Sequence, residues 1–425
     1  MTVSTDPRAE AARRQPRPAL RDPQFRRYLV GQAVSELGDQ VWYVALSWSA
    51  VRLASPAAAA MVLTLTSAPR LTLMLFGGVI ADRFDIRRVM IGSDGARIVI
   101  TAAAAAVAIA APGIWLLIVV AVSYGLADGI FMPAAGSMQP RLLDPSQYSS
   151  GAIASNFTAQ MALSLGAPLG GAMVAVGGLP LALAIDAATF AVSVVTLASV
   201  RPRPLPADET SRNDHATTTR ERLAVLTADL AGGVRFLIKS PVLGSVTVIT
   251  LLQNFGFVGP MNIGIAELSD HRGWGATGIG LLLTGFGAGV VVSSLLQMRW
   301  KIRNRAGVWI VALCAASGWT LLALALAPVL EGAIAATVVL GLLSGPVMVA
   351  SSVLTQQATP DPLRGRVSSL NLLSSYGTVP IAMIGTGIAI ATVGITATFA
   401  VCGAINAAAL IFLLVPDFRR SAIQS

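Results

Sequence analysis

The first long apolar stretch of the chain carries polar side chains on one helical face. They recur at steps of four, three and four residues, the spacing that aligns side chains along a helix: Gln32, Glu36, Asp39 and Tyr43. Asp39 lies 12 residues beyond Arg27, so a helix would place it roughly 18 Å along the axis, near the middle of a membrane. A carboxylate removed from water loses the solvation that favours its charge, so Asp39 and Glu36 are candidates to bind and release protons. The alternative is a carboxylate satisfied by a neighbouring helix.

Five more ionisable side chains fall inside apolar stretches, where each charge costs on the order of 3 kcal/mol. Asp94 and Arg97 are three residues apart and can form an ion pair on one helix. Asp128 and Asp186 are candidates for a second proton site or for acceptors of packing hydrogen bonds. Arg70 is a candidate counter-ion, either for the midplane carboxylate of the first stretch or for an anionic substrate. The sequence thus predicts proton coupling among four carboxyl groups: Asp39, Glu36, Asp128 and Asp186.

The second half of the chain has almost no charge inside its apolar stretches. Its first stretch contains Gly256, Gly259 and Pro260, and a proline cannot donate a backbone hydrogen bond. This pattern indicates either a broken helix facing a cavity or a simple kink. The polar residues of this half are amides and a phenol, which we expect to face substrate together with Gln32, Tyr43 and Arg70. They are Asn254, Asn262, Gln356, Asn371 and Tyr376.

The composition requires an apolar environment. Hydrophobic residues make up 54% of the 425 residues and charged residues only 12%, about half the charge usual in soluble proteins. A helix needs roughly 20 apolar residues to cross the hydrocarbon core. The sequence therefore predicts an all-α integral membrane protein with twelve transmembrane helices. The predicted spans are 25–51, 58–80, 88–111, 114–134, 148–175, 178–200, 241–265, 276–298, 306–328, 332–355, 366–391 and 394–415.

Basic residues are concentrated on one side of these spans. Of 30 Lys and Arg, 26 lie in the tails and in every second loop, or beside them. Only Arg52 and Arg272 lie in the other loops, and Arg70 and Arg97 lie within spans. Because basic loops stay in the cytoplasm, both termini are predicted to be cytoplasmic and the protein to lie in the plasma membrane. The net charge of +9 then reflects loops near lipid headgroups, and no nucleic-acid partner is expected.

A polar, proline-bearing segment divides the spans into six and six. Loop residues recur 217 positions apart in the two halves, as Gln139, Asp144 and Pro145 match Gln356, Asp361 and Pro362. Such a repeat predicts two pseudo-symmetric six-helix bundles around a central cavity. The predicted organisation is a disordered cytoplasmic tail (1–24), an N-terminal bundle (25–200), a cytoplasmic linker (201–240), a C-terminal bundle (241–415) and a cytoplasmic tail (416–425).

The scarcity of certain residues excludes other classes of protein. Lys239 and Lys301 are the only lysines and neither follows a Gly-rich phosphate loop, so ATP-driven transport is not expected. His215 and His271 fall in separate loops, which excludes a histidine metal centre in the bilayer. We expect no catalytic residue, no metal and no cofactor, and therefore no enzyme. The expected partners are a small-molecule substrate, protons and the lipid bilayer, with the chain as a monomer.

One loop motif resembles a known family. The segment GGVIADRFDIRRVM joins the second and third spans and resembles the Gly-x-x-x-Asp-Arg signature of the major facilitator superfamily. Asp85 stands near the place of the glycine that usually follows. Segments LGDQVWYVAL, GIFMPA and DAATFAVS are similar to the exporter branch that contains siderophore and macrolide efflux proteins. The residues that match the signature, and to which the resemblance gives a gating role, are Gly78, Asp82, Arg83, Arg87 and Arg88.

A second motif, LGAPLGG, resembles the antiporter signature Gly-Pro-x-x-Gly-Gly of drug exporters. The proline is shifted by one position here, and the residues that would form the helix bend are Gly166, Pro168, Gly170 and Gly171. The fourth span has Asp128 at the level where many members of the superfamily carry an arginine. The resemblance implies two six-helix bundles that rock between inward-open and outward-open states, driven by an ion gradient.

The sequence therefore predicts a secondary active transporter. It would export a small amphipathic molecule, such as a drug, a siderophore or a metabolite, by proton antiport with alternating access. An inward-working symporter or facilitator of the same fold remains open, since one fold can serve several functions. A non-transporting membrane sensor or a channel is the alternative from another class.

The gating motif yields a first prediction. Asp82 lies at a cytoplasmic helix junction, and in the family the matching residue locks the inner gate against the start of the eleventh span, here near Arg366. A carboxylate at a helix N-terminus gains roughly 0.3–1 kcal/mol, and more when it is partly buried. Asp82→Asn should therefore slow turnover and leave substrate affinity nearly intact in a transport assay. A large loss of affinity with normal turnover would instead place Asp82 in the binding site.

Overall fold

The computed structural model describes residues 19–83, 85–203, 240–299, 305–359 and 378–421, together with single positions 235, 237, 367, 374 and 377. Every regular element in these ranges is a helix. Most of the predicted linker, the predicted helix start near Arg366, and Asn371 and Tyr376 lie outside the described residues.

Local sequence sets the ends of the helices in the first half. The Asp22 carboxylate accepts hydrogen bonds from the backbone N–H groups of Gln24 and Phe25, so it caps α1 just before Pro23. Asp85 caps α3 in the same way. The stretch Tyr148–Ser199 is interrupted at Gly178, where φ is 64°, and we label its parts α5 (148–177) and α6 (179–199). The other bounds are α1 Pro23–Leu53, α2 Pro56–Arg83, α3 Ile86–Ala110 and α4 Ile114–Leu142.

The second half begins with α7, Pro241–His271. This helix widens into two π-helical turns, Asn254–Val258 and Pro260–Gly264, before its last segment, Ile265–His271. The predicted interruption at Pro260 is thus a local widening, which accommodates a residue without an N–H group in a continuing helix. The remaining helices are α8 Gly275–Arg299, α9 Ala306–Leu326, α10 Leu330–Ala358, α11 Val379–Val393 and α12 Ile395–Ala407, which continues as a 3₁₀ turn, Ala408–Leu414.

Eight helical stretches in the described part of the chain are long and apolar enough to cross a membrane. One of them is the stretch that bends at Gly178. α1 is long enough, but it carries the charged and polar residues of the predicted site. The chain is therefore a multi-pass α-helical membrane protein, and the count of twelve spans stays a prediction.

Glycines allow the helices to approach closely. A Cβ at Gly166 would lie 2.6 Å from the Gln40 Cβ of α1, and one at Gly171 would lie 2.8 Å from the Ala276 carbonyl oxygen of α8. Gly289 faces Gly341 across the contact between α8 and α10. Small residues at helix crossings are the usual means of packing in membranes. The glycines of the predicted helix-bend motif thus serve close packing, and Pro168 lies within α5, which ends at the non-helical Gly178.

Two of the contacts that join the halves repeat each other. Gly171 of α5 packs against Ala276 of α8, and Gly387 of α11 packs against Ala60 of α2. Gly387 lies 216 positions after Gly171, and Ala276 lies 216 positions after Ala60. This offset is close to that of the loop repeat and is the relation that two pseudo-symmetric halves would produce.

These repeated contacts lie at one end of the helices, which we call the outer end. It carries the connections 54–55, 111–113, 272–274 and 327–329. It is the side predicted to face away from the cytoplasm. These two repeated contacts thus help to close the molecule at its outer end.

Single-cysteine labelling tests this orientation. A cysteine at Ser211, in the predicted linker, should react with a membrane-impermeant thiol reagent only after the cells are opened, and one at His271 should react in intact cells. His271, the last residue of α7, is exposed, whereas Ser269 in the same helical segment is buried and donates to the Gly275 carbonyl oxygen at 2.7 Å. The two native cysteines are buried and provide a low background. Labelling of both positions from the same side would contradict the topology.

Candidate functional site

A cavity of about 490 Å³ lies among the helices of the first half and is completed by α7 and α11 of the second. α1 contributes one wall and α2, α3 and α4 the others, with side chains from inner Gln32 to outer Leu46. It contains most of the residues that the sequence predicts: Gln32, Glu36, Asp39, Tyr43, Arg70, Asp128 and Asn262. The rest of the lining includes Trp42, Thr66, Ser67, Arg97, Tyr124, Phe131, Met132, Val379 and Met383.

A network of opposite charges occupies one wall of the cavity. The Asp128 carboxylate of α4 forms ion pairs with two guanidinium groups, those of Arg70 from α2 and Arg97 from α3. Arg97 also faces Asp94, with 3.6 Å between the nearest nitrogen and oxygen. The Ser193 hydroxyl of α6 donates to Asp94 at 2.6 Å. Arg70 is thus the partner of Asp128, and the predicted Asp94–Arg97 pair is part of a larger network.

Arg97 is almost sealed from solvent. Its side chain is 2% exposed, and its guanidinium carbon lies 5.1 Å from the ring centroids of both Phe131 and Phe190. The Tyr124 ring lies 5.9 Å away. Aromatic faces attract a cation most strongly where water is absent. Carboxylates and rings together thus replace the hydration that this guanidinium loses.

Asp186 is buried behind the cavity wall, although the sequence makes it a proton-site candidate. It receives a hydrogen bond from the Tyr124 hydroxyl and lies against the backbone of α1 at Gly38. The Thr189 hydroxyl is 3.4 Å from one of its oxygens. Asp186 is therefore placed as an acceptor of packing hydrogen bonds, one of the two roles that the sequence allows.

Asp39 and Glu36 differ from the other carboxylates in their lack of strong partners. Asp39 lines the cavity and makes no hydrogen bond or ion pair with any described residue. Glu36 accepts one hydrogen bond from the Gln32 amide at 3.0 Å, and its other oxygen is buried without a partner in the described structure. These two carboxyl groups are free to exchange partners within the cavity.

The predicted cavity residues of the second half divide into three groups. Asn262 lines the cavity and accepts a hydrogen bond from the Tyr43 hydroxyl, which joins α7 to α1. Asn254 instead donates to the Thr378 hydroxyl at 3.0 Å and is not among the lining residues. Gln356 donates to the Ser352 hydroxyl at the exposed end of α10. Asn371 and Tyr376 lie outside the described residues.

The structure places part of the gating motif at the inner end. Arg87 donates from Nε to the Leu197 carbonyl oxygen at 2.9 Å and from a terminal nitrogen to the Ala198 carbonyl oxygen. It thereby satisfies the end of α6, where carbonyls lack helical partners. The Arg88 side chain is exposed. α2 is helical through Gly78, Asp82 and Arg83, whose side chains lie outside the described part of the structure.

Sequence reasoning missed the central position of Arg97 and the role of Tyr124. A partial signal was present, because Asp128 is an acid within an apolar stretch and shares a face of α4 with Tyr124, four residues earlier. A buried acid on that face requires a nearby donor. The donor could be Arg70 of α2 or Arg97 of α3. The choice depends on how these helices pack against α4, which the sequence alone does not show.

The network predicts a large effect for one substitution. Arg97→Met preserves most of the side-chain volume but leaves Asp94 and Asp128 without their shared cation, a loss that typically costs about 3–5 kcal/mol. We expect a clear fall in the thermal unfolding midpoint of the protein in detergent. Arg70→Met is the control, since the Arg70 side chain is 25% exposed and its removal leaves Asp128 paired. Equal midpoints for Arg97→Met and the wild type would contradict the account.

Comparisons with known proteins agree with this architecture. Residues 16–423 match the model of a family described as transmembrane secretion effectors. The MFS-type transporter YfiS of Bacillus subtilis is 26% identical over 398 residues, which cover 88% of each chain. The multidrug efflux pump Tap of Mycobacterium tuberculosis is 25% identical over 385 residues, covering 87% of this chain and 88% of that protein.

A solved structure shows the same fold. A POT family transporter in complex with a thioalcohol-conjugated peptide superposes with a TM-score of 0.71 at 11% identity, covering 93% of this chain and 96% of that one. The family match spans nearly the whole chain and its relatives are transporters, so the protein is a transport protein and not an enzyme. The chain belongs to the transmembrane secretion effector family of major facilitator superfamily transporters.

Proposed function

We propose that the protein exports a small amphipathic molecule by proton antiport with alternating access, and that Asp39 is the principal proton-coupling carboxylate. The observation that carries the proposal is the contrast among the buried acids. Asp128 is held by two arginines, Asp94 by Arg97 and Ser193, and Asp186 by Tyr124. Asp39 faces the cavity without such a partner.

A carboxylate in a cavity without an ion-pair partner has a desolvation cost, and it can avoid this cost in two ways. It can bind a proton, or it can face the cation of a substrate. The two are mutually exclusive at Asp39, so a substrate that arrives displaces a proton, and a proton that arrives displaces the substrate. This competition is the coupling that antiport requires. Glu36, one turn nearer the inner end, would meet the same cation first.

The cavity walls favour a cationic amphipathic substrate. Three carboxylates line the cavity against two guanidinium groups, which leaves one negative charge in excess when all are ionised. Its apolar surfaces include Trp42, Phe131, Met132 and Met383, and aromatic and methionine side chains adapt to varied apolar shapes. The relative Tap is a multidrug efflux pump, which supports export of such compounds.

Alternating access would use the contacts between the halves. In the described state the outer end is closed at Gly171–Ala276 and Gly387–Ala60, while the cavity extends inward to Gln32 and Ala135. We infer two six-helix bundles (25–200 and 241–415) that rock about these seams, joined by a cytoplasmic linker, 201–240. The protein would lie in the plasma membrane as a monomer with both termini in the cytoplasm.

Asp39→Asn tests the proposal in everted membrane vesicles with an acidic lumen. With ethidium, a planar organic cation, as the probe, the wild type should accumulate the dye against its gradient. The variant should lose this accumulation, because an amide cannot carry a proton, and should retain downhill exchange. It should also insert normally, since removal of an unpartnered charge strands no partner.

The matched control is Asp417→Asn, which removes an exposed carboxylate in the C-terminal turn. It should accumulate the dye like the wild type. Full proton-driven accumulation by Asp39→Asn would place the coupling group elsewhere, with Glu36, Asp128 and Asp186 to be tested in that order. Wild-type vesicles that exclude ethidium but accumulate anionic dyes would contradict the substrate class.

A further inference from the structure

A second carboxylate lies where α1 meets the outer end of α7. Two side-chain contacts join these helices. The Tyr43 hydroxyl donates to Asn262 beside the cavity, and Arg52 forms an ion pair with Asp270 at 3.3 Å nearer the surface. We call this contact region the outer seam. It closes the outer end above the cavity, and it must part if the cavity is to open outward.

Glu267 lies within the outer seam, between these two contacts. It is three residues before Asp270, hence one turn inward on the same face of α7. Asp270 contacts α1 through Arg52, so this face of α7 is turned toward α1. Glu267 is half-buried, and its Oε1 atom is inaccessible and makes no hydrogen bond within the described structure.

The surrounding charges do not neutralise Glu267. The segment Ile265–His271 packs against α1 and α8. Arg52 is the basic group that α1 presents near this level, and it is engaged by Asp270. The only ionisable residue of α8 is Arg299, at the opposite end of that helix. On α7 itself, His271 is exposed, and Arg272, which follows it, donates to the Ala325 carbonyl oxygen at 3.2 Å.

The closed seam therefore disfavours a charge on Glu267. A buried carboxylate without a donor or counter-ion carries a desolvation cost that its neutral form avoids, and the nearby Asp270 carboxylate adds repulsion. If α1 and α7 separate, water reaches both oxygens and the cost disappears. Ionised Glu267 thus favours the open seam, and protonated Glu267 favours the closed one.

We propose that Glu267 is a proton-binding site of the outer seam, and that a proton taken up from outside allows the seam to close. This inference rests on the proposed antiport by alternating access and extends it. Asp39 would exchange proton for substrate inside the cavity, whereas Glu267 would make the return to the outer-closed state depend on a proton. External acid would then accelerate the step that resets the transporter.

Pulsed electron paramagnetic resonance between two spin labels tests the proposal in the full-length protein in lipid. Cysteines replace Leu53, at the exposed end of α1, and His271, at the exposed end of α7, after Cys314 and Cys402 are changed to alanine. The His271 label also removes the nearby histidine as a source of pH dependence. Acidification should raise the population at the short distance relative to that at the long distance. The expected rise is at least about fivefold, the lower end of typical coupling between sites.

Three variants decide the outcome. Glu267→Gln should show the short distance at acidic and alkaline pH alike, because the amide is permanently neutral. Glu267→Asp should keep the pH response, because it keeps a carboxyl group. It shows whether a substitution at this position disturbs the fold, which controls for the loss of response in Glu267→Gln. Asp270→Asn should lengthen the distances but keep the response. A pH response that persists in Glu267→Gln overturns the proposal, and so does a wild-type distance that ignores pH.

The same measurement separates this proposal from the antiport on which it rests. A response retained in Glu267→Gln but lost in Asp39→Asn would remove Glu267 from the cycle and leave coupling at Asp39 intact. A response lost in Glu267→Gln but unchanged in Asp39→Asn supports the proton-dependent seam, even if ethidium accumulation shows that Asp39 is not the coupling group.

Discussion

The ion pairs of Arg97 are the interaction on which the arrangement of the cavity depends. A guanidinium group that is 2% exposed cannot remain charged without close anions, and Asp94 and Asp128 supply them from α3 and α4. Asp128 in turn binds Arg70 of α2, and Ser193 ties α6 to Asp94. One buried cation thereby fixes the positions of four helices.

The network also determines which carboxylate remains available. Each acid that Arg97 or Tyr124 engages is stabilised in its place and is poorly suited to give up its partner during a cycle. Asp39 lines the same cavity without a hydrogen bond or ion pair to a described residue, whereas the two arginines that also line it are engaged by Asp128. The difference in partners among these five acids, Glu36, Asp39, Asp94, Asp128 and Asp186, therefore follows from packing rather than from residue type.

Much of the fold could be predicted from the sequence because it follows from composition and periodicity. The polar residues of α1 follow helical spacing and lie together on the cavity, and the loop offset of 217 positions is close to the 216 that separates the two glycine contacts. The family resemblance from the motif at 77–90 is confirmed by the family match. These features depend on residues that are close in sequence or on the offset between the two halves of the chain.

The partners of charged residues could not be predicted, because they depend on which helices meet. Asn254 was expected in the cavity but bonds to Thr378, since α11 packs on that side of α7. Glu267 lies beyond 265, the predicted end of its span, but α7 continues as a helix to His271 and so includes Glu267. Opposite charges in separate spans indicate that an ion pair forms. Which of several residues is the partner depends on which helices pack together, and the sequence alone does not show that.

The central claim is that Asp39, and not an arginine-bound acid, holds the exchangeable proton of the cavity. Infrared difference spectroscopy of the protein in lipid measures this directly, because a protonated carboxyl has a C=O stretching band that an ionised carboxylate lacks. The wild type should show carboxyl absorption that grows as the pH falls, and the component due to Asp39 should be missing from Asp39→Asn and present in the Asp417→Asn control. A titrating band of unchanged size in Asp39→Asn would contradict the account.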